Sequence, residues 1–109
     1  QFLERVMNDR DLARDILAGF LEDVSRQIRA LREVAGEGDG PATARQAHTI
    51  KGAAANVGAE FLRAVGYETE KRAMAGDLRA VIEMLPQLEQ RVTQLREVLE
   101  ASGWVEKGT

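Results

Sequence analysis

His48 is the only histidine of the chain, and it lies in the run Ala47-His48-Thr49-Ile50-Lys51-Gly52-Ala53-Ala54-Ala55-Asn56-Val57-Gly58. Read as a helix, this run puts Ala47, Ile50, Ala54 and Val57 on one stripe and His48, Gly52 and Ala55 on the opposite side. The stripe is apolar and belongs against a core, so the imidazole faces water. A neutral imidazole is a nucleophile. It can accept a phosphoryl group when it is sterically open, held in one tautomer and provided with a counter-charge. Lys51, three residues on, is a helix-surface neighbour whose ammonium can reach phosphoryl oxygens. Gly52, four residues after the histidine, and Ala44, four before it, remove bulk above and below the ring, so the active site of a partner protein can approach.

A carboxylate that accepts the proton of one ring nitrogen would fix the tautomer and leave the other nitrogen free. Glu70 is the candidate. His48 precedes Gly58 by ten residues and Glu70 follows it by twelve. If the chain turns at Gly58, a rise of 1.5 Å per residue sets both at similar heights, about 15–18 Å from the turn. Gly66, one turn before Glu70 on the same face, leaves room for the contact. Plainer readings exist for each residue. A lone helix histidine is ordinarily a solvated side chain, Lys51 alone is an ordinary exposed lysine, and Glu70 has Arg63 and Lys71 as alternative partners. The combination His-x-x-Lys-Gly with a glycine six residues later separates this segment from those readings.

The elements that must position these groups follow from size and patterning. A chain of 109 residues is expected to form one domain with one core. Aromatics are scarce and alanine, leucine, arginine and glutamate abundant, which points to an all-α fold. There are no cysteines, and the carboxylates show no ligand spacing, so no disulfide, cofactor or resident metal is expected. Fifteen basic against eighteen acidic residues give a formal charge of −3 with the signs interspersed, which disfavours nucleic acid as a partner. The apolar runs are far shorter than the roughly 20 residues that span a bilayer, and no signal peptide opens the sequence. A soluble cytoplasmic domain without direct membrane contact is expected. The chain begins without methionine, so it can also be a cytoplasmic piece of a membrane-anchored protein.

Along the chain, Phe2 to Met7 make a short first helix, and Asn8 and Asp9 offer caps for a long second one. From Asp11 to Val34 the residues Leu12, Ile16, Phe20, Val24, Ile28 and Leu31 recur at helical spacing, widened by Leu17 and Leu21. Gly36, Gly38 and Gly40 stop this helix, and Pro41 suits the start of the one that carries His48. Gly58 ends that helix in a left-handed cap. The pattern resumes through Phe61, Leu62, Val65, Thr69 and Ala73 to Gly76. Asp77 caps the last helix, whose Leu78, Val81, Leu85, Leu88, Val92, Leu95 and Leu99 form a continuous seam. Pro86 lies inside it and predicts a kink, not a break. These elements predict an antiparallel up-down-up-down four-helix bundle over about residues 9–101. A short N-terminal helix over about residues 2–7 precedes it, and a loose tail follows in which Trp104 can fold back.

The residues quoted above resemble the histidine-containing phosphotransfer domains of bacterial multistep phosphorelays. The resemblance runs through Ala47-His48-Thr49-Ile50-Lys51-Gly52, Gly58-Ala59-Glu60, Glu70 and Ala75-Gly76-Asp77-Leu78, and extends to Phe20-Leu21-Glu22-Asp23-Val24. It implies that His48 is the phospho-acceptor, that Lys51 steadies the phosphoryl group, that Gly52 keeps access open and that Glu70 bonds to the ring. Two positions depart from the family pattern. Thr69 stands where leucine is usual, and Gly66 interrupts its helix. The resemblance further implies reversible transfer between a receiver-domain aspartyl phosphate and His48, with Mg2+ brought by the receiver. The chain carries no glycine-rich nucleotide loop, so it is expected to be a relay intermediate, not a kinase, and a monomer. A sensor histidine kinase on the same polypeptide is a further expected partner. Two other readings stay open at this level: the phosphoacceptor domain of a chemotaxis-type kinase, and a non-catalytic coiled-coil module built on the Leu78 to Leu99 seam.

Overall fold

The computed structural model describes residues 9–106, which contain four helices and no strand. The helices are α1 (Arg10–Gly36), α2 (Gly40–Val57), α3 (Glu60–Met74) and α4 (Leu78–Ala101). The short helix expected over residues 2–7 lies outside the described residues.

Three of the four helices start in the same way. Asp9, Asp39 and Asp77 each accept a hydrogen bond from the backbone N–H three residues on, at 3.0, 3.0 and 3.1 Å. Each carboxylate satisfies one of the amides that a helix start leaves free and sits at the positive end of the helix dipole. Helix α3 has no side-chain cap. It is launched instead from the turn that ends α2, where Gly58 adopts φ 75° and its N–H and that of Ala59 bond back to the last carbonyls of α2. That left-handed residue lets two helices follow one another with only Gly58 and Ala59 between them.

The core lies between the four helices. Leu21, Val24 and Leu31 enter it from α1, Ala47, Ile50 and Ala54 from α2, Leu62 and Ala73 from α3, and Val81, Leu85 and Leu88 from α4. Helix α1 packs on α2 and α4, and α3 packs on α2 and α4, so the four close a ring. The seam of α4 is spent inside the chain: Val81, Leu85 and Leu88 are at most 1% exposed. That use of the seam opposes the coiled-coil reading.

The structure departs from the sequence reading in several places. On α1 the buried stripe begins at Ala13 and continues through Leu17, so Leu12, one position off that stripe, is 45% exposed. On α3 the buried face is Leu62, Gly66, Thr69 and Ala73, which turns the neighbouring Phe61 outward to 75% exposure against the Arg91 guanidinium. Helix α1 also runs two residues past Val34 to Gly36, because the strained residue of that turn is Gly38 at φ 78°. In agreement with the sequence reading, Pro86 lies in α4 without ending it. The carbonyl it deprives of a helical partner is that of Ile82, a residue 45% exposed. Of the tail expected to be loose, Trp104 and Val105 pack against the core, and both of their N–H groups bond to the Leu99 carbonyl.

Candidate functional site

Helix α2 presents His48 because its neighbours are anchored. Ala47 and Ile50 are fully buried, which fixes the rotation of the helix and turns His48, between them, outward. The imidazole is 64% exposed. Gly52, one turn further, has open space where a side chain would stand.

Helix α3 brings the carboxylate. Glu70 Oε2 lies 2.9 Å from His48 Nδ1, and Glu70 Oε1 lies 2.7 Å from Lys51 Nζ. A carboxylate can only accept, so Nδ1 carries the ring proton and donates it, and the Nε2 lone pair is left facing solvent. Oε1 is buried and makes no hydrogen bond of good angle, which makes its contact with the lysine chiefly an ion pair. Glu70 is only 15% exposed and Lys51 25%. The Lys51 ammonium at 2.7 Å is the largest influence on the Glu70 carboxyl. Together with the His48 bond it outweighs desolvation and holds the group below its ordinary pKa.

The reach of Glu70 depends on how closely α2 and α3 approach, and Gly66 sets that distance. A methyl group placed on Gly66 would stand 3.2–3.3 Å from the Cα, Cβ and N atoms of Lys51. Two of these are main-chain atoms of a packed helix and cannot easily yield. Gly66 therefore does not loosen α3, as its helix propensity alone suggests, but seats it. The other departure, Thr69, is fully buried, and its hydroxyl donates to the Val65 carbonyl at 2.7 Å. It satisfies itself within the helix one residue before Glu70.

His48, Lys51 and Glu70 thus meet in space, and Gly52 borders them. The partners that competed for Glu70 are engaged elsewhere: Arg63 bonds to Glu60 at 3.0 Å and Lys71 to Glu68 at 2.8 Å. Two features were not anticipated. Lys51 is paired with Glu70 and not free at the surface, and the ring of Tyr67 lies 5.5 Å from the Lys51 ammonium. The signal for the second was the spacing of Tyr67, three residues before Glu70 on the same helix. One turn before His48 and one turn after Glu70, the residues Pro41, Ala44, Ala73 and Met74 line a shallow hollow with Gly40 and Gly76. Among the described residues, no group of three or more His, Cys, Asp or Glu side chains is placed to hold a metal ion. No described helix is long and apolar enough to cross a membrane.

Compared with known proteins, the chain matches the family model described as the Hpt domain over residues 15–98. No curated protein and no solved structure matches it.

Two expectations follow from this geometry. Gly66→Ala gains helix propensity of up to about 1 kcal/mol but meets backbone, where overpacking typically costs about 1–3 kcal/mol. A net loss of stability in urea unfolding is expected, together with a changed chemical shift of the His48 ring. Unaltered shifts would show that Gly66 does not govern the site. Because the Glu70 pKa is lowered on folding, its ionised form contributes stability that is complete above the ordinary value of 4.5 and lost as pH falls through the lowered one. The margin of the wild-type chain over Glu70→Gln is therefore expected to shrink in acid. A margin that persists there, in urea melts at a series of pH values, contradicts the pairing.

Proposed function

The chain belongs to the Hpt domain family, whose members are phosphotransfer intermediates of two-component signalling that interact with receiver domains, and on that premise we propose that His48 is the residue that carries the phosphoryl group. The observation that carries this reading is the imidazole, 64% exposed, with Nδ1 bonded to a carboxylate and Nε2 left as the other ring nitrogen.

In the proposed step the Nε2 lone pair attacks the phosphorus of a receiver aspartyl phosphate. The Nε2–P bond forms as the bond from phosphorus to the aspartyl oxygen breaks, and that electron pair returns to the receiver carboxylate. The Nδ1 proton stays where it is. The ring therefore becomes cationic as it takes on the dianionic phosphoryl group, and the Glu70 carboxylate at 2.9 Å stabilises that developing positive charge. Lys51 meets the phosphoryl oxygens. Gly52 leaves the approach clear, and the hollow lined by Ala44 and Met74, the latter 72% exposed, offers the receiver an apolar seat beside the histidine. Because an acyl phosphate is exchanged for a phosphoramidate, the same path runs in reverse to a second receiver. Mg2+ belongs to the receiver in this scheme. The short connections and the closed ring of neighbours support an up-down-up-down order for the bundle. A monomer acting in the cytoplasm, alone or as part of a sensor kinase, completes the reading.

The assignment predicts that incubation with phosphorylated receivers labels the chain, that the label is acid-labile and base-stable, and that His48→Gln abolishes it. Labelling that survives the substitution rejects His48. Gly52→Gln is expected to leave helicity unchanged while blocking transfer, because its side chain would occupy the open approach. Transfer at the wild-type rate would refute the role of that opening.

A further inference from the structure

Lys51 is held by more than a carboxylate. It leaves α2 against the bare backbone of Gly66, and its ammonium lies within reach of two groups of α3 that stand three residues apart. These are Glu70 Oε1 at 2.7 Å and the Tyr67 ring, whose centroid is 5.5 Å away. Tyr67 is half exposed and contributes nothing to the core, so packing does not account for its place.

We propose, building on the phosphotransfer reading above, that Tyr67 is a positioning residue for that reaction: its ring holds the Lys51 ammonium beside His48 without neutralising it. A lysine held by Glu70 alone has its charge compensated, and drawing it toward an incoming phosphoryl group would strip a largely buried carboxylate of its cation. An aromatic face attracts a cation through its quadrupole and adds no negative charge. The ammonium can therefore shift from Glu70 toward phosphoryl oxygens while it stays over the ring, and Glu70 keeps its bond to the imidazole. The other charged group at the ring is Lys71, 4.8 Å from the same centroid. It is paired with Glu68 at 2.8 Å, as Lys51 is with Glu70, so the ring faces two ammonium groups, and the Lys51→Ala background separates their effects.

Two measurements on the whole chain test this. In NMR spectra the Lys51 ε-methylene protons are expected to be shifted upfield by the ring in the wild type and in Tyr67→Phe, and to lose the shift in Tyr67→Leu. Wild-type protons at the ordinary lysine position overturn the proposal. In transfer from a phosphorylated receiver, Tyr67→Leu is expected to slow labelling about two- to fivefold, Tyr67→Phe to restore the wild-type rate, and Lys51→Ala to remove the effect of Tyr67→Leu. A Tyr67→Leu defect that is undiminished in the Lys51→Ala background overturns the proposal. Failure of the wild-type chain to take label from any receiver sinks the phosphotransfer reading, with the NMR arm then deciding by itself whether the ring holds the lysine.

Discussion

A single carboxylate serves two cationic or potentially cationic groups of another helix, and the rest of the site is arranged around that sharing. Glu70 places one oxygen on the His48 ring and the other on the Lys51 ammonium. Both contacts require α2 and α3 to lie close together with His48, Lys51 and Glu70 at similar heights. Distance comes from Gly66, which lets the Lys51 backbone come close. Height comes from the left-handed turn at Gly58. Glu70 is only 15% exposed, so its contacts are screened less than those of a fully exposed pair, although the His48 ring itself is 64% exposed.

The core enforces the same arrangement from the other side. Ala47 and Ile50 are wholly buried and flank His48 in sequence, so rotating α2 to hide the histidine would pull both out of the interior. Removing one large aliphatic side chain from such a core costs about 2–5 kcal/mol, and a rotation would forfeit more than one. The buried stripe of α3 includes Gly66 and Thr69 together with Leu62 and Ala73. It is poor in bulk where it meets α2, which permits the approach. Most of the larger core residues, Leu21, Leu31, Leu85 and Leu88 among them, come from α1 and α4, with Ile50 and Leu62 added by α2 and α3.

Much of this was legible in the residues themselves. The apolar stripes, the aspartate caps and the glycine turn follow from local rules, and the match in height between His48 and Glu70 follows from helical rise alone. What escaped the sequence depends on rotation and on three-dimensional proximity. Leu12 and Phe61 fit a helical pattern as well as Ala13 and Leu62 do, and only packing decides which of two neighbours turns inward. Lys51 looked free because its partner lies nineteen positions away on another helix. Gly66 could be read from its position as room for the Glu70 contact and from propensity as an interruption of its helix, but that the room is taken by the Lys51 backbone needed the structure. Pro86 is the converse case. Its cost is set by whether the carbonyl it frees faces water, which the sequence does not state.

Under the proposed function, the pairing of Lys51 with Glu70 bears on the direction in which a relay can run. A lysine with no prior partner would gain the full attraction of an incoming phosphoryl group, and the phosphorylated histidine would then be a deep well that gives up its cargo slowly. A lysine that must first loosen its hold on Glu70 gains only the difference between the two attractions. Meanwhile Glu70 turns from the ammonium toward a ring that has just become cationic, so the charge it releases on one side it meets on the other. The total number of favourable charge contacts changes little between the empty and the loaded states. A site with that property deepens neither end of the exchange and keeps its equilibrium near balance, which is what an intermediate that must both accept and donate the same group requires.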